Sequence, residues 1–240
     1  MLPGPCGKKH FRLSNWIGGF TPYHFPAVIQ SFNAVINCWA QSKMTGAAHR
    51  ATAILKHMMK RYDANNTIVA PDSASYTTVI NAWARSRERD AIERAEEIFQ
   101  LCEESFQRGN QRAKPNALTY NSLINCYSKF NDGHASKKAI ELLETMKERS
   151  RTEEHEDCHP DVITYTSVMD ALAKRQSVEA AAKAEALLEE LENAHRNAPG
   201  DQRLKPNVRA YTSVGRTKLL DEMYSFWSRR RLTCTSYFQR

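Results

Sequence analysis

The chain has 240 residues, of which 41% are hydrophobic and 25% are charged, and its formal net charge is +7. This hydrophobic content is enough for a packed protein, and no apolar run approaches the roughly 18 residues that a membrane span needs. The first 21 residues lack the continuous apolar stretch of a secretory signal. We therefore expect neither a membrane-spanning segment nor a secretory signal.

The positive charge lies at the two ends of the chain. The residues before Ile29 carry +3 and those after Asn207 carry +5, so the region between them sums to −1. A basic protein attracts polyanions. Here the net charge alone does not indicate that the central region binds nucleic acid. The first 28 residues are basic without acidic residues and faintly resemble an organellar transit peptide, although they have little serine and no clear amphipathic helix.

From residue 32 onward one short phrase recurs. It begins with an aromatic residue, continues with Asn or Thr, and ends in small or apolar residues. The four copies are Phe32–Ala40, Tyr76–Ala84, Tyr120–Ser128 and Tyr165–Ala173. The spacing from copy to copy is 44, 44 and 45 residues, counted at Asn33, Thr77, Asn121 and Thr166. A fixed period of this size predicts stacked supersecondary units.

Each unit carries two amphipathic helical patterns. Tyr76 is followed three, four and seven residues later by Val79, Ile80 and Trp83, which is the spacing of one apolar helix face. A second stripe follows in every unit: Ala51-Ile54-Leu55-Met58, Ala95-Ile98-Phe99-Cys102, Ala139-Leu142-Leu143-Met146 and Ala184-Leu187-Leu188-Leu191. The repeated alanine predicts a close helix crossing. The spacing of the aromatic residues is explained fully if they are buried in the core between packed helices.

The six cysteines include no C-x-x-C pair. Cys38 and Cys126 occupy positions at which other units have Ala82 and Ala171. They are interpreted as small core residues in a reducing compartment, not as a disulfide framework.

A polar stretch after each second stripe ends in proline followed by Asp or Asn, at Pro71-Asp72, Pro115-Asn116, Pro160-Asp161 and Pro206-Asn207. Proline prevents extension of the preceding helix, and Asp or Asn can cap the next one. The sequence predicts an all-α fold, a right-handed αα-solenoid of helix-turn-helix repeats with long inter-repeat loops. Its predicted segments are residues 1–28 (an N-terminal extension), 29–72, 73–116, 117–161 and 162–207 (four repeats), and 208–240 (a partial fifth repeat and an atypical basic tail).

These repeats resemble the pentatricopeptide repeat (PPR) family. The resemblance covers Ile29 to Asn207 and rests on the aromatic-Asn/Thr phrase, the second stripe and the closing dipeptide. One departure is the period, because the family unit has about 35 residues and the extra residues here lie in the polar stretch.

The resemblance implies an organellar protein, mitochondrial or chloroplast, that binds single-stranded RNA with one base per repeat. Carried over to this chain, the base-readout pairs are Asn33 with Asp72, Thr77 with Asn116, Asn121 with Asp161, and Thr166 with Asn207. In the family's code these pairs imply the target U-A-U-A. The same residue types are also common helix caps, so both interpretations stand for each pair.

Two further sets of residues follow from the resemblance. The second residue of each unit would sandwich a base, which suits Leu118 and Ile163 better than Gln30 and Ala74. Basic residues near the end of the first helix, Arg85, Lys129 and Lys174, would contact phosphate, and Gln41 holds the matching position in the first unit. A cation at a helix C-terminus also complements the helix dipole.

No catalytic motif is recognisable. There is no Gly-rich phosphate loop, and the segment from His155 to His159 has metal-ligand residue types in a polar loop without a cysteine pair. We expect no enzyme activity, no cofactor and no metal. Partners implied are single-stranded RNA and other RNA-processing proteins. The alternative is a helical-repeat scaffold that binds a protein or peptide.

Overall fold

A computed structural model describes residues 25–63, 67–86, 88–130, 133–152, 157–175 and 177–216. The described residues form helices and no strand, which confirms the all-α prediction. The helices are α1 (Phe25–Gln41), α2 (Ala47–Asp63), α3 (Ser73–Ser86), α4 (Ala91–Gln107), α5 (Ala117–Lys129), α6 (Gly133–Arg149), α7 (Val162–Ala173), α8 (Val178–Asn197) and α9 (Val208–Gly215).

The helices pair as the repeats predict, two to a unit. The first helices of successive units, α1, α3, α5, α7 and α9, pack directly side by side. Each second helix packs against the first helix of its own unit and against that of the next unit, as α2 does with α1 and α3. The chain is therefore a stack of helix pairs, and α9 begins a fifth unit.

The two apolar stripes form one continuous core. The alanines that begin the second stripes are fully buried, which agrees with a close helix crossing: Ala51, Ala95, Ala139 and Ala184. Trp83, Tyr76 and Tyr120 are among the largest buried side chains. Burial of such rings contributes much of the apolar area that stabilises a helical stack.

Ion pairs connect the second helices across unit boundaries. Lys56 on α2 lies 2.8 Å from Glu97 on α4, and Lys138 on α6 lies 2.6 Å from Glu96 on α4. Lys147 on α6 continues the series, 2.6 Å from Glu190 on α8. Long polar side chains therefore join neighbouring second helices, whereas apolar packing joins the first helices.

The long inter-repeat loops are ordered by short 3₁₀ turns at Thr67–Val69, Gln111–Ala113 and Gln202–Leu204. Asn110 donates its amide to the Pro71 carbonyl at 2.8 Å, so the loop of one unit is bonded to the loop of the unit before. The Cys158 thiol donates to the Pro115 carbonyl at 3.2 Å in the same way. The extra residues of the long period therefore form a third set of contacts between successive units.

Two expectations fail at the first unit. Cys38 is exposed, although it was expected in the core, and Val35 is 45% exposed where Val79 is fully buried. Both side chains are exposed because no second helix of a preceding unit lies against α1 within the described residues. Helix α1 also begins at Phe25, before the predicted repeat boundary at residue 29. The terminal segments 1–24 and 217–240 lie outside the described residues.

Candidate nucleic-acid interface

The predicted readout residues of the first unit lie in direct contact. Asn33 on α1 donates its amide to both carboxylate oxygens of Asp72, at 3.1 and 3.2 Å. Asp72 immediately precedes α3, so the pair lies where α1 and α3 pack side by side. The Ser75 hydroxyl donates to the Asn33 side-chain oxygen at 2.6 Å and also lies 2.8 Å from Asp72 Oδ1.

The third unit repeats this arrangement. Asn121 donates its amide to Asp161 at 3.2 Å, and the Thr164 hydroxyl lies 2.6 Å from the Asn121 oxygen and 2.9 Å from Asp161 Oδ1. Thr164 has the same place in α7 that Ser75 has in α3. A hydroxyl on the following unit's first helix therefore fixes both members of the pair.

In the second unit the pair is joined through a hydroxyl instead of directly. The Thr119 hydroxyl lies 3.0 Å from the Thr77 hydroxyl oxygen and 3.2 Å from the Asn116 side-chain oxygen, and its single proton can go to either of them. Thr77 also donates to the Ser73 carbonyl at 2.7 Å. Among the described residues, the side-chain nitrogen of Asn116 has no hydrogen-bond partner.

The fourth unit lacks the bridging hydroxyl. Ala210 stands where the other units have Ser75, Thr119 and Thr164. The Thr166 hydroxyl bonds the Val162 carbonyl at 2.5 Å, and Asn207 accepts from the Ala210 backbone N–H at 2.9 Å. Within the described residues Thr166 and Asn207 are not hydrogen-bonded to each other.

The closing residues also cap helices, as the alternative interpretation predicts. Asn116 and Asp161 form capping boxes with Thr119 and Thr164, and Asn207 accepts a bond from the first turn of α9. Asp72 accepts from the Ser75 backbone N–H at 2.8 Å. Capping uses Oδ1 in each case, which leaves Oδ2 of the aspartates and the amide nitrogen of the asparagines for another partner. Base readout at these positions stays a prediction.

The first members of the pairs are largely covered by neighbouring helices. Thr77, Asn121 and Thr166 are buried, whereas Asn33 is half-buried, and their partners Asp72, Asn116, Asp161 and Asn207 are half-buried or exposed. A ligand in the groove between first helices would therefore meet mainly the closing residue and one edge of its partner.

The predicted sandwich residues project into solvent. Leu118 is 61% exposed and Ile163 is 56% exposed, and both lie in the first turn of their helices beside the readout pairs. Gln30 and Ala74 at the matching positions are exposed too. Their apolar side chains are therefore accessible to a ligand that lies beside the readout pairs.

The predicted phosphate-contacting residues end the first helices. Arg85 and Lys129 are exposed, and Arg85 reaches the Ala40 carbonyl at 3.4 Å. Burial lowers the pKa of Lys174, and the positive charges of Lys129 and Arg216 lower it further. Lys174 is therefore close enough to Lys129 and Arg216 to be repelled by them, and an anion beside these three cations would relieve that repulsion.

The bridging hydroxyls were missed by the sequence reasoning. Their signal is present: a hydroxyl residue stands three places after the closing Asp or Asn at Ser75, Thr119 and Thr164. This is the capping-box spacing, so the sequence predicted only a helix cap at these positions. The sequence does not show that the Asn or Thr of the preceding unit lies beside the hydroxyl.

The loop from residue 155 to residue 159, which has metal-ligand residue types, contributes one residue to the packed core. Cys158 is fully buried and burial raises the pKa of its thiol to about 11, while Asp157 and His159 are exposed. His155 and Glu156 lie outside the described residues. In the part of the chain that the structure describes, no group of three such residues is placed to hold a metal ion.

The fold defines a class of protein, a helical solenoid built from repeated helix pairs. The model of the PPR repeat family matches residues 115–174, and the model of the pentatricopeptide repeat domain matches residues 61–130. Residues 61–174 are therefore repeats of the pentatricopeptide repeat family. The search of curated proteins found no match.

Repeats of this family generally bind RNA, and its members are generally non-catalytic. No helix among the described residues is long and apolar enough to cross a membrane.

Proposed function

We propose that this protein binds single-stranded RNA through the groove between its first helices, one base per unit, with the order U-A-U-A from the first unit to the fourth. The observation that supports this best is the contact between the first-helix residue and the closing residue of one unit, at 3.1 Å for Asn33 and Asp72 and at 3.2 Å for Asn121 and Asp161. One such pair per unit matches the one-base-per-repeat mode of recognition.

The first and third pairs keep hydrogen-bonding capacity that suits uracil, because an amide nitrogen has two N–H donors and a carboxylate oxygen has two lone pairs. Asn33 keeps an amide N–H that can donate to a uracil carbonyl, and Asp72 Oδ2 can accept from the uracil N3–H. Both groups are already oriented by the hydrogen bonds to Ser75. A preoriented donor and acceptor lose little freedom when the base binds.

The second pair offers a different pattern. The Asn116 amide can donate to adenine N1, and the Thr77 hydroxyl oxygen can accept from the adenine amino group. Uracil presents the opposite arrangement, a carbonyl acceptor beside the N3–H donor, so this pattern separates adenine from uracil. The fourth pair, Thr166 and Asn207, has the same residue types without the bridging hydroxyl, so we expect it to discriminate less.

The apolar and basic residues complete the proposed site. Leu118 and Ile163 would pack against base faces, and Arg85, Lys129 and Lys174 would neutralise phosphates. Four bases at about 1–3 kcal/mol each give modest affinity after ordering costs. We therefore infer that the protein acts with other RNA-processing proteins, in a mitochondrion or chloroplast.

The experiment is a gel shift with U-A-U-A RNA against base-swapped controls. Exchanging the second pair, Thr77→Asn with Asn116→Asp, should move the preference at the second base from A to U. The reciprocal change at the third pair, Asn121→Thr with Asp161→Asn, should move the third base from U to A. Equal binding of all RNAs by every variant would refute base readout, and absence of binding to any RNA would refute the proposal as a whole.

Phosphate contacts are tested by salt dependence. Each contact to a single strand contributes about 0.7 to the slope of log K against log salt. Replacing Arg85 and Lys129 by alanine should lower the slope by about 1.4 in total. The matched control is Lys137→Ala, an exposed lysine on α6, which should leave the slope unchanged.

A further inference from the structure

The buried hydroxyl of Tyr76 lacks the kind of partner that the matching tyrosines have. Tyr120 accepts a hydrogen bond from Arg149 at 2.6 Å, and Tyr165 donates one to Glu190 at 2.8 Å. Tyr76 is fully buried, yet its hydroxyl has no hydrogen bond of normal geometry to any residue that the structure describes. Buried polar groups are rarely left in this state, so the surroundings of Tyr76 indicate a missing partner.

The third unit shows which group holds the matching place there. Arg149 extends from α6 toward α4, where its guanidinium donates to Glu103 at 2.5 Å. The same guanidinium lies 5.9 Å from the centre of the Tyr120 ring. An arginine side chain therefore satisfies the tyrosine hydroxyl of the third unit and joins the two second helices that flank it.

The second unit has a cavity at this position instead. One period of 44 residues before Arg149 and Glu103 stand Ser105 on α4 and Met59 on α2. Both residues line a cavity of about 250 Å³ between these helices. Burial raises the pKa of Tyr76 and the nearby Ser105 hydroxyl lowers it, so the Tyr76 hydroxyl lies directly behind this wall of the cavity.

The walls of the cavity suit a cationic group on an apolar stem. Met59 and Leu101 supply apolar surface, and the carboxylates of Asp63 and Glu104 supply negative charge. Arg108 also lines the cavity, and its guanidinium is bonded to Glu104 at 3.1 Å. Two carboxylates and one guanidinium leave a net charge of −1, which attracts a further cation.

We propose that this cavity binds the guanidinium of an arginine side chain from a partner protein, in the way that the third unit binds its own Arg149. The arginine stem would pack on Met59 and Leu101, and its N–H groups would donate to Asp63 and to the hydroxyls behind it. Arginine suits such a site better than lysine, because its planar guanidinium is weakly hydrated and has several donors. The site lies between second helices, so it does not depend on RNA binding in the groove between first helices.

Met59 provides the probe. The full chain is prepared with ¹³C-methyl methionine, and the Met59 methyl resonance is identified by its loss in Met59→Leu. Titration with N-acetyl-arginine amide should shift this resonance in a saturable way, with a Kd of about 1 mM for a ligand of this size. N-acetyl-citrulline amide has the same shape without the charge, and we expect it to bind about tenfold more weakly or less.

Matched variants separate filling of the cavity from a change of charge. Ser105→Arg fills the cavity from within and should abolish the shift, whereas Gln107→Arg adds the same charge at an exposed position of α4 and should leave the Kd unchanged. Asp63→Asn should raise the Kd about threefold. Its control is Glu148→Gln, an exposed carboxylate on α6. Unchanged helical circular dichroism shows that each variant is folded.

Three results would overturn the proposal. The first is the lack of any saturable shift of the Met59 resonance in the unsubstituted chain at concentrations far above the expected Kd. The second is equal affinity for the arginine and citrulline compounds, and the third is unchanged binding in Ser105→Arg. Tighter binding of free L-arginine than of N-acetyl-arginine amide would assign the cavity to a free amino acid and would overturn the partner-protein assignment.

Discussion

The hydroxyl that joins successive units gives a quantitative prediction. Thr164 on α7 donates toward Asn121 and Asp161 and accepts from the Asp161 backbone N–H at 3.0 Å. Thr164→Val keeps the shape of the side chain and removes these bonds. Because Thr164 is fully buried, water cannot replace the hydroxyl without rearrangement.

The expected cost follows from the bonds lost. One hydroxyl supplies one donated and one accepted bond, each worth about 1 kcal/mol net, and the Asn121 oxygen is left without its donor. The free energy of unfolding should therefore fall by about 2 kcal/mol. For a chain of this size that corresponds to a fall in Tm of about 4–8 °C.

The measurement is urea unfolding followed by helical circular dichroism. Thr164→Ser keeps the hydroxyl and loses only the methyl group, so it should cost clearly less than Thr164→Val. The converse substitution can be made at the fourth pair. Ala210→Ser introduces the missing hydroxyl beside Asn207 and should stabilise the protein or leave its stability unchanged. Equal losses for Thr164→Val and Thr164→Ser would refute the reasoning, because the hydroxyl would then contribute nothing.

Three further predictions concern other parts of the fold. Gly46 and Gly109 have φ values of 76° and 99°, so changing either to alanine should lower the free energy of unfolding by about 1–2 kcal/mol. The control is Gly200→Ala, since Gly200 has open space around it and no positive φ. Equal losses for the three variants in urea unfolding would contradict this explanation. Burial raises the pKa of Tyr76 to about 12, and the buried tyrosines at 120, 127 and 165 have raised pKa values too. The folded state then holds protons that the unfolded state releases near pH 10, so the free energy of unfolding should fall as pH rises from 10 toward 12. Tyrosinate absorbance should show a class of tyrosines that titrates at a higher pH than exposed tyrosines. A free energy of unfolding that stays constant over this range would contradict the prediction. Lys138→Gln removes the ion pair with Glu96 and keeps the bond from the Tyr127 hydroxyl to Glu96. The free energy of unfolding, measured by thermal unfolding, should fall by no more than about 1 kcal/mol, because ion pairs near the surface contribute little. A much larger loss would mean that the pairs between second helices are essential to the stack.

The repeated phrase was sufficient to predict the helices. Its three- and four-residue spacing predicted the first helix of every unit, and the second stripe predicted the second helix. The alanines of the second stripe, such as Ala95 and Ala139, are buried as expected. These features are local: a helix with one apolar stripe must bury that stripe wherever its neighbour lies. The closing Asp or Asn was also predictable as a cap, since the capping bond joins residues three positions apart.

Properties that depend on a neighbouring unit could not be predicted in the same way. Cys38 and Cys126 occupy the same position of the phrase, yet one is exposed and the other buried, because within the described residues only the second has a helix of the preceding unit against it. The polar inter-repeat stretch was predicted as loop, and its residues in fact bond the loop before, as Asn110 does with Pro71.

The sequence by itself determined the repeat, its helices and its caps, because each depends on residues that lie within one or two turns of each other. Only the tertiary structure decided that Asn33 meets Asp72 and that Thr77 reaches Asn116 through Thr119, because those contacts join residues about 40 positions apart. The stacking of one unit on the next brings them together, and that stacking is set by the shape of the whole core.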